Sequence, residues 1–212
     1  DLNTAFMGDA GGKSFHIILL AKNQTGLRKL YHLISESNLQ YFKKAPRIPK
    51  SLLMELREGL IVGSACEAGE LFHAVKDHKG WDELKRIASF YDFLEIQPLS
   101  NNAYMLRPDK EGRSIARDAE DLRNFNRKVV DIAVKQGIKD GLEGLLGKID
   151  GLVEIKVEIN GLESSNADVM LYSVFENEDA LKNYAVHPEH VFVADKFVRP
   201  FTETRMCLDF EV

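Results

Sequence analysis

Six histidines, two cysteines and one basic–aromatic cluster are the side chains of this 212-residue chain with most chemistry to offer. Histidine titrates near neutrality, so it can move a proton or hold a metal. Cysteine presents a thiolate to electrophiles and soft ions. The spacing narrows these options. His32 falls inside a helical pattern, and His73 and His78 flank the end of an amphipathic helix, where an imidazole simply offsets the helix dipole. Cys66 and Cys207 lie far apart and give no framework for disulfide stapling, which fits a reducing, cytoplasmic setting. Lys43-Lys44-Ala45-Pro46-Arg47, beside Tyr41 and Phe42, has the charge and rings to stack on single-stranded nucleic acid. Such clusters are more often solvated loops, and direct DNA contact is not expected. No polymerase or exonuclease carboxylate set, and no phosphate-cradling glycine loop, is found in the sequence.

The elements that must position these residues belong to an ordinary globular chain, 44% apolar and 29% charged. No apolar run is long enough for a membrane span, and no secretory leader opens the chain, which begins at Asp1 and reads as a processed or clipped piece. Charge divides the sequence. Residues 139–212 hold 7 lysines and arginines against 15 aspartates and glutamates, whereas residues 1–138 hold the other 21 and 18. That asymmetry favours two domains, neither basic enough to bind nucleic acid by charge alone.

In the first half, Phe15–Ala21 (FHIILLA) reads as a strand buried on both faces. Thr25 is a plausible cap for a helix carrying Leu27, Leu30, Tyr31 and Ile34, and Ser51 for a short one that Gly59 stops. Leu60–Ala65 is a second buried strand and Phe93–Ile96 a third, with helices near 69–76 and 81–91 between them. Asp118 caps a further helix bearing Leu122, Phe125, Val129 and Ile132, predicted to end at Gly137. Strands alternating with helices predict a parallel α/β arrangement.

The segments GGKSFHIILLAKNQTGLRKLYHLIS, LQYF, PRIPKSLL, EGLIVGSACEAGELF, FYDFLEIQPL and EDLRNFNRKVVDIAVKQGI follow one another in order over residues 1–138. Together they closely resemble the PHP domain of the PolC-type DNA polymerase III alpha subunit, in the part that follows the inserted exonuclease. The resemblance implies a partial, distorted (β/α) barrel with a metal cluster at one end. It places His16 and Cys66 at two ligand positions of that cluster, both at strand ends, where such barrels do their chemistry. The family's early His-x-His motif and the His and Glu after it would precede residue 1. Its late Asp-x-His should follow Gln136-Gly137-Ile138, where Lys139-Asp140-Gly141-Leu142 stands instead. Two donors do not make a zinc site. No cofactor is expected, and zinc or manganese would bind only if other residues complete the cluster. The bland alternative is that both side chains simply belong to the core or its rim.

From Lys139 the texture changes. Leu142, Leu145, Leu146 and Ile149 form a helical stripe opposite Gly141, Gly144 and Gly147, which implies close packing on another backbone or a marginal helix. Val153, Ile155, Val157 and Ile159 alternate with charged residues in a half-buried strand, and a second strand spans about 167–176. Asn177 caps a short helix through Tyr184, His187-Pro188 opens another to about Phe197, and Met206, Leu208, Phe210 and Val212 alternate in a final strand. This is an antiparallel α+β design.

GLEGLLGKIDGLVEIKVEIN, ADVMLYSVFENEDALKNYAVHPEHVFVADKFVRP and TRMCLDFEV resemble the stress-responsive A/B barrel (Dabb) family, with its Tyr-x-x-His-Pro-x-His signature at Tyr184, His187, Pro188 and His190. The resemblance implies a ferredoxin-like fold that dimerises. Some plant relatives are polyketide cyclases, whose pocket positions match Tyr184 and His190. The family's first strand, with another active-site histidine, is missing at residues 139–212, and Asp168 stands where cyclases have a third-strand histidine. A lone His–Tyr pair is thin support for a base and an orienting donor, and His187 and His190 can equally pin a helix start at a dimer surface.

The expectation is therefore a partial PHP-like domain at 1–138 joined to a Dabb-like domain at 139–212, related to a DNA-directed DNA polymerase (a nucleotidyltransferase) but without a complete active site. By resemblance its setting is bacterial DNA replication and its machinery. The expected partner is a second copy through the Dabb-like half, or a strand given by FHIILLA to that half's open edge. The alternative is a dimerising, stress-responsive module that binds a small molecule, cyclase-like, through Tyr184 and His190.

Overall fold

The structure is a computed structural model that describes residues 13–162 and 164–211. Its contacts divide the chain into two compact units, residues 1–130 and 131–212.

In the first unit, strand β1 (Ile18–Ala21) leads into helix α1 (Gln24–Leu39), a short helix α2 (Lys50–Glu55) and strand β2 (Leu60–Gly63). β1 and β2 pair antiparallel, with Ile18 opposite Gly63 and Ala21 opposite Leu60. The expected parallel sheet and partial barrel are thus not formed by the described strands, and parallel pairing survives only as single bridges, His16 to Gly69 and Gly63 to Phe93. A close backbone approach explains the hairpin-like register. The Lys22 N–H donates to the Gly59 carbonyl at 2.8 Å, and a Cβ on Gly26 would lie 1.8 Å from that same oxygen. Gly59 itself has φ +77°, a conformation that glycine adopts without penalty.

Other expectations shift for local reasons. Only Ile18–Ala21 of FHIILLA is strand, and Leu20 is exposed among the described residues. Phe93–Ile96 is no strand; the Phe93 ring instead fills the space where Gly63 lacks a side chain. Asn23, not Thr25, caps α1, its Oδ1 accepting from the Gly26 N–H at 2.9 Å. Pro49 rather than Ser51 precedes α2. Leu33, Leu53, Leu60 and Val62 form the core between sheet and helices. Helices α3 (Glu70–Lys76) and α4 (Trp81–Ala88) bury Leu71, Phe72, Val75, Leu84 and Ile87.

Helix α5 (Ala119–Glu143) begins as expected at Asp118, whose Oδ1 accepts from the Glu120 and Asp121 amides at 2.9 and 3.0 Å. It does not stop at Gly137. Gly137 and Gly141 instead leave room for the Phe197 ring, and a Cβ on Gly141 would come within 3.1 Å of Phe197 and Val193. Of the expected stripe, Leu142, Leu145 and Ile149 are buried but Leu146 is exposed, because past Glu143 the chain runs in turns rather than helix.

In the second unit, β3 (Leu152–Glu158) and β4 (Met170–Phe175) pair antiparallel. A bulge between Leu152 and Glu154 shifts the phase, so Val153 faces solvent while Leu152, Ile155 and Val157 are buried. Helix α6 (Glu178–Val186) starts at Asn177, whose side chain accepts from the Ala180 amide at 2.9 Å. Helix α7 (Pro188–Val193) continues as a π-turn through Val198. The expected final strand is not formed: residues 204–211 run extended without pairing, and Val212 lies outside the described residues. Among the described residues, no helix is long and apolar enough to cross a membrane.

Candidate functional site

Two small constellations bring candidate residues together, one in each unit. In the first, His16 is held by its backbone. Its N–H donates to the Ala68 carbonyl at 3.0 Å, and the residue bridges Gly69. Cys66 follows Ala65, which sits at φ +59°, a strained conformation for a residue with a Cβ. That turn at the end of β2 brings Cys66 Sγ to 3.6 Å from His16 Nδ1. The two positions that the family resemblance matched to metal ligands are therefore neighbours in space. Burial, reinforced by the Glu67 carboxylate, pushes the Cys66 thiol pKa up, so it remains protonated at neutral pH.

A nitrogen–sulfur pair suits the softness of zinc but not its ligand count. Among the described residues, no group of three His, Cys, Asp or Glu side chains is placed to hold an ion. The described donors do not fit a complete metal centre.

The remaining histidines of this unit stay apart from the pair in their bonding. His32 faces Glu36 one turn along α1 at 3.6 Å. His73 packs edge-on to Phe15 and lies 3.3 Å from Lys76 Nζ, and burial lowers its pKa. His78, at φ +52°, helps line an open groove of about 600 Å³ with Lys79, Arg117, Asp121 and Phe125, a feature no local sequence signal announced. The basic cluster forms a tight turn, with Lys43 bridging Ala45 and Lys44 at φ +62°, and Phe42 is exposed.

In the second unit, Tyr184 is 6% exposed. Its ring lies 4.2 Å from the His190 ring at an interplanar angle of 31°, and 5.0 Å from that of Phe175. Pairing at this range fixes both rings. The sequence offered Tyr184 and His190, but Phe175 was legible only as a strand residue. His190 Nδ1 is 3.3 Å from the Ala185 carbonyl, so a proton on Nδ1 leaves Nε2 as an acceptor. Burial keeps this imidazole pKa below its ordinary value. The Tyr184 hydroxyl is buried with no hydrogen-bond partner, and burial pushes its pKa up to about 12. The pair can accept a proton at one atom and donate one at another. His187 instead caps α7, its Nδ1 accepting from the Glu189 amide at 3.3 Å. Asp168 is exposed and faces Lys135 at 3.3 Å.

Comparison with known proteins separates the same two regions. The family model of the PHP domain matches residues 3–98, and that of the Stress responsive A/B Barrel Domain matches residues 120–212. The second match begins inside α5, ahead of the change of texture at residue 139. The DNA polymerase III PolC-type of Clostridium perfringens is 55% identical over 117 residues, which is 55% of this chain and 8% of that protein. That of Caldanaerobacter subterraneus is 47% identical over 121 residues, 57% of this chain and again 8% of the relative. A dimeric protein of unknown function and ferredoxin-like fold from Bacteroides fragilis shares 35% identity over 39% of this chain and 79% of its own, with a TM-score of 0.37. The chain spans about a twelfth of the PolC-type relatives it matches. The chain is thus similar to the PHP domain over residues 3–98 and to the Stress responsive A/B Barrel Domain over residues 120–212.

Proposed function

We propose that this chain serves a DNA-replication setting as a PHP segment without a complete active site, tied to a module that self-associates. The observation that carries the reading is the His16–Cys66 pair. Its two donors stand 3.6 Å apart at the positions the PolC resemblance assigns to metal ligands, and no third donor of the described residues joins them. As a half-site it contributes ligands to a centre that other residues must complete. Phosphoryl transfer by two metal ions needs a full carboxylate set, which neither His16 nor Cys66 supplies. Primer extension and 3′-end degradation assays on the purified chain test this, with no turnover expected. Turnover that disappears in Cys66→Ser would contradict it.

The second unit supports a homodimer. Val153, Met170, Leu171 and Tyr172 expose apolar surface on and beside its sheet, as do Met206, Leu208 and Phe210 in the extended tail.

A second reading has its own observation. The Tyr184 hydroxyl is buried and unpartnered against a neutral imidazole, a state that costs about 1–3 kcal/mol unless something bonds to it. A small molecule bearing a carbonyl or phenolic oxygen would satisfy it, in line with a cyclase-like pocket. Binding of an aromatic polyketide probe, weakened at least tenfold in both Tyr184→Phe and His190→Ala, would support this reading. Equal binding by both variants would remove it.

A further inference from the structure

The two edges of the β3–β4 sheet differ. Along β3 the outer edge is occupied by α5: the Val157 N–H donates to Glu143 Oε1 at 2.9 Å, and Lys139 Nζ donates to the Val157 carbonyl at 2.5 Å. Lys139 and Glu143 also pair with each other. Because the main-chain groups of Val157 turn outward, its partner Leu171 belongs to a pair that exchanges no ladder hydrogen bonds. The N–H and C=O of Leu171 therefore point away from β3, and those of Ser173 follow two residues on. No third strand pairs with β4 among the described residues.

A strand for that edge lies at the end of the chain. Residues 204–211 are extended, and Cys207 Sγ lies 3.2 Å from Asp209 Oδ1, as same-face side chains of an extended segment do. The other face carries Met206, Leu208 and Phe210, exposed to 93%, 83% and 66%. Within one chain this apolar face is uncovered, although β4 offers an open edge.

We infer that the open edge of β4 takes the C-terminal strand of a second copy, so that two chains exchange residues 204–211 reciprocally. This rests on the homodimer reading and names the surface that forms it. Main-chain pairing supplies the affinity and the alternating apolar side chains the register, as in strand addition generally. The residues that pairing would cover are large and apolar on both sides, Leu171 on β4 and Met206, Leu208 and Phe210 on the tail. The Lys139–Glu143 cover leaves β4 as the edge to be filled.

The test measures mass by light scattering and amide exchange over residues 169–176, on the full chain at increasing concentration. It is repeated in Cys207→Pro, which removes a ladder N–H, and in a chain shortened by residues 203–212. The expected result is a dimer whose 169–176 amides exchange at least tenfold more slowly as dimer forms, with mass and protection both falling in the two variants. A dimer that persists in both variants overturns strand exchange while the homodimer stands. A monomer overturns both, whether or not 169–176 is protected. The concentration dependence in the unaltered chain decides the matter even where a variant fails to fold.

Discussion

His16 and His190 are held in place by opposite means. In the first unit the backbone does it: a bridge to Gly69, an amide bond to Ala68 and the left-handed turn at Ala65 bring His16 and Cys66 together at the rim. In the second unit side chains do it: the partly exposed rings of His190 and Phe175 hold the buried Tyr184 ring by contact. A pair positioned by backbone can lose its side chains and keep the fold. A pair positioned by stacking cannot.

The largest expected effect follows from that contrast. Tyr184→Ala removes a buried ring from its stack and should cost about 3–5 kcal/mol of the second unit's stability. Tyr184→Phe keeps the ring and deletes only the orphan hydroxyl, so it should be neutral or stabilising by up to about 1 kcal/mol. Denaturant unfolding of the two variants would break the comparison if their order were reversed. In the first unit the equivalent damage must be done to the main chain. A Cβ on Gly69 would lie 2.1 Å from the Ser64 carbonyl oxygen, so Gly69→Ala should cost about 1–3 kcal/mol and move His16 away from Cys66. A crystal structure of the variant would check the displacement.

Acidity sharpens the same contrast. His190 has a folded pKa below its unfolded value because burial disfavours the cation. Below about pH 6.5 the unfolded chain takes up the proton first, so this contribution to stability is complete above that pH and declines as pH falls toward the folded value. Tyr184 acts at the other end: its stabilising contribution is complete below about pH 10 and is lost as pH rises through a folded pKa of about 12. Unfolding midpoints at pH 7 and pH 5 should differ less in His190→Gln than in the unaltered chain, and an equal difference would contradict the assignment. The smallest effect is reserved for His16→Ala and Cys66→Ser. Half-exposed or exposed side chains whose placement is a backbone property should change stability by less than about 1 kcal/mol.

Local chemistry was legible in the sequence where it is self-contained. Asp118 and Asn177 cap their helices because a cap needs only its own first turn. Tyr184 and His190, six residues apart across a helix break, stand with their rings 4.2 Å apart. What failed depends on partners far along the chain. The apolar run FHIILLA says nothing of its antiparallel register, which the approach of Gly26 to Gly59 dictates. Gly137 reads as a helix end, yet helix α5 continues past it and the Phe197 ring packs there, 60 residues on. The alternation from Met206 onward is a strand pattern without a neighbouring strand, and it forms none. His16 and Cys66 could be matched to a metal cluster only through family resemblance, since nothing in a separation of 50 residues fixes a 3.6 Å contact.

The half-site itself is tested most directly by titrating the full chain with zinc against a chromophoric chelator. A complete structural site in a zinc-finger peptide binds with about 10–16 kcal/mol. Half the ligand set should give roughly half of that, a Kd on the order of 1–100 μM, abolished in both His16→Ala and Cys66→Ser. One equivalent of zinc retained through dialysis against excess chelator, and lost in Cys66→Ser, would show that this chain completes the centre by itself and would contradict the half-site.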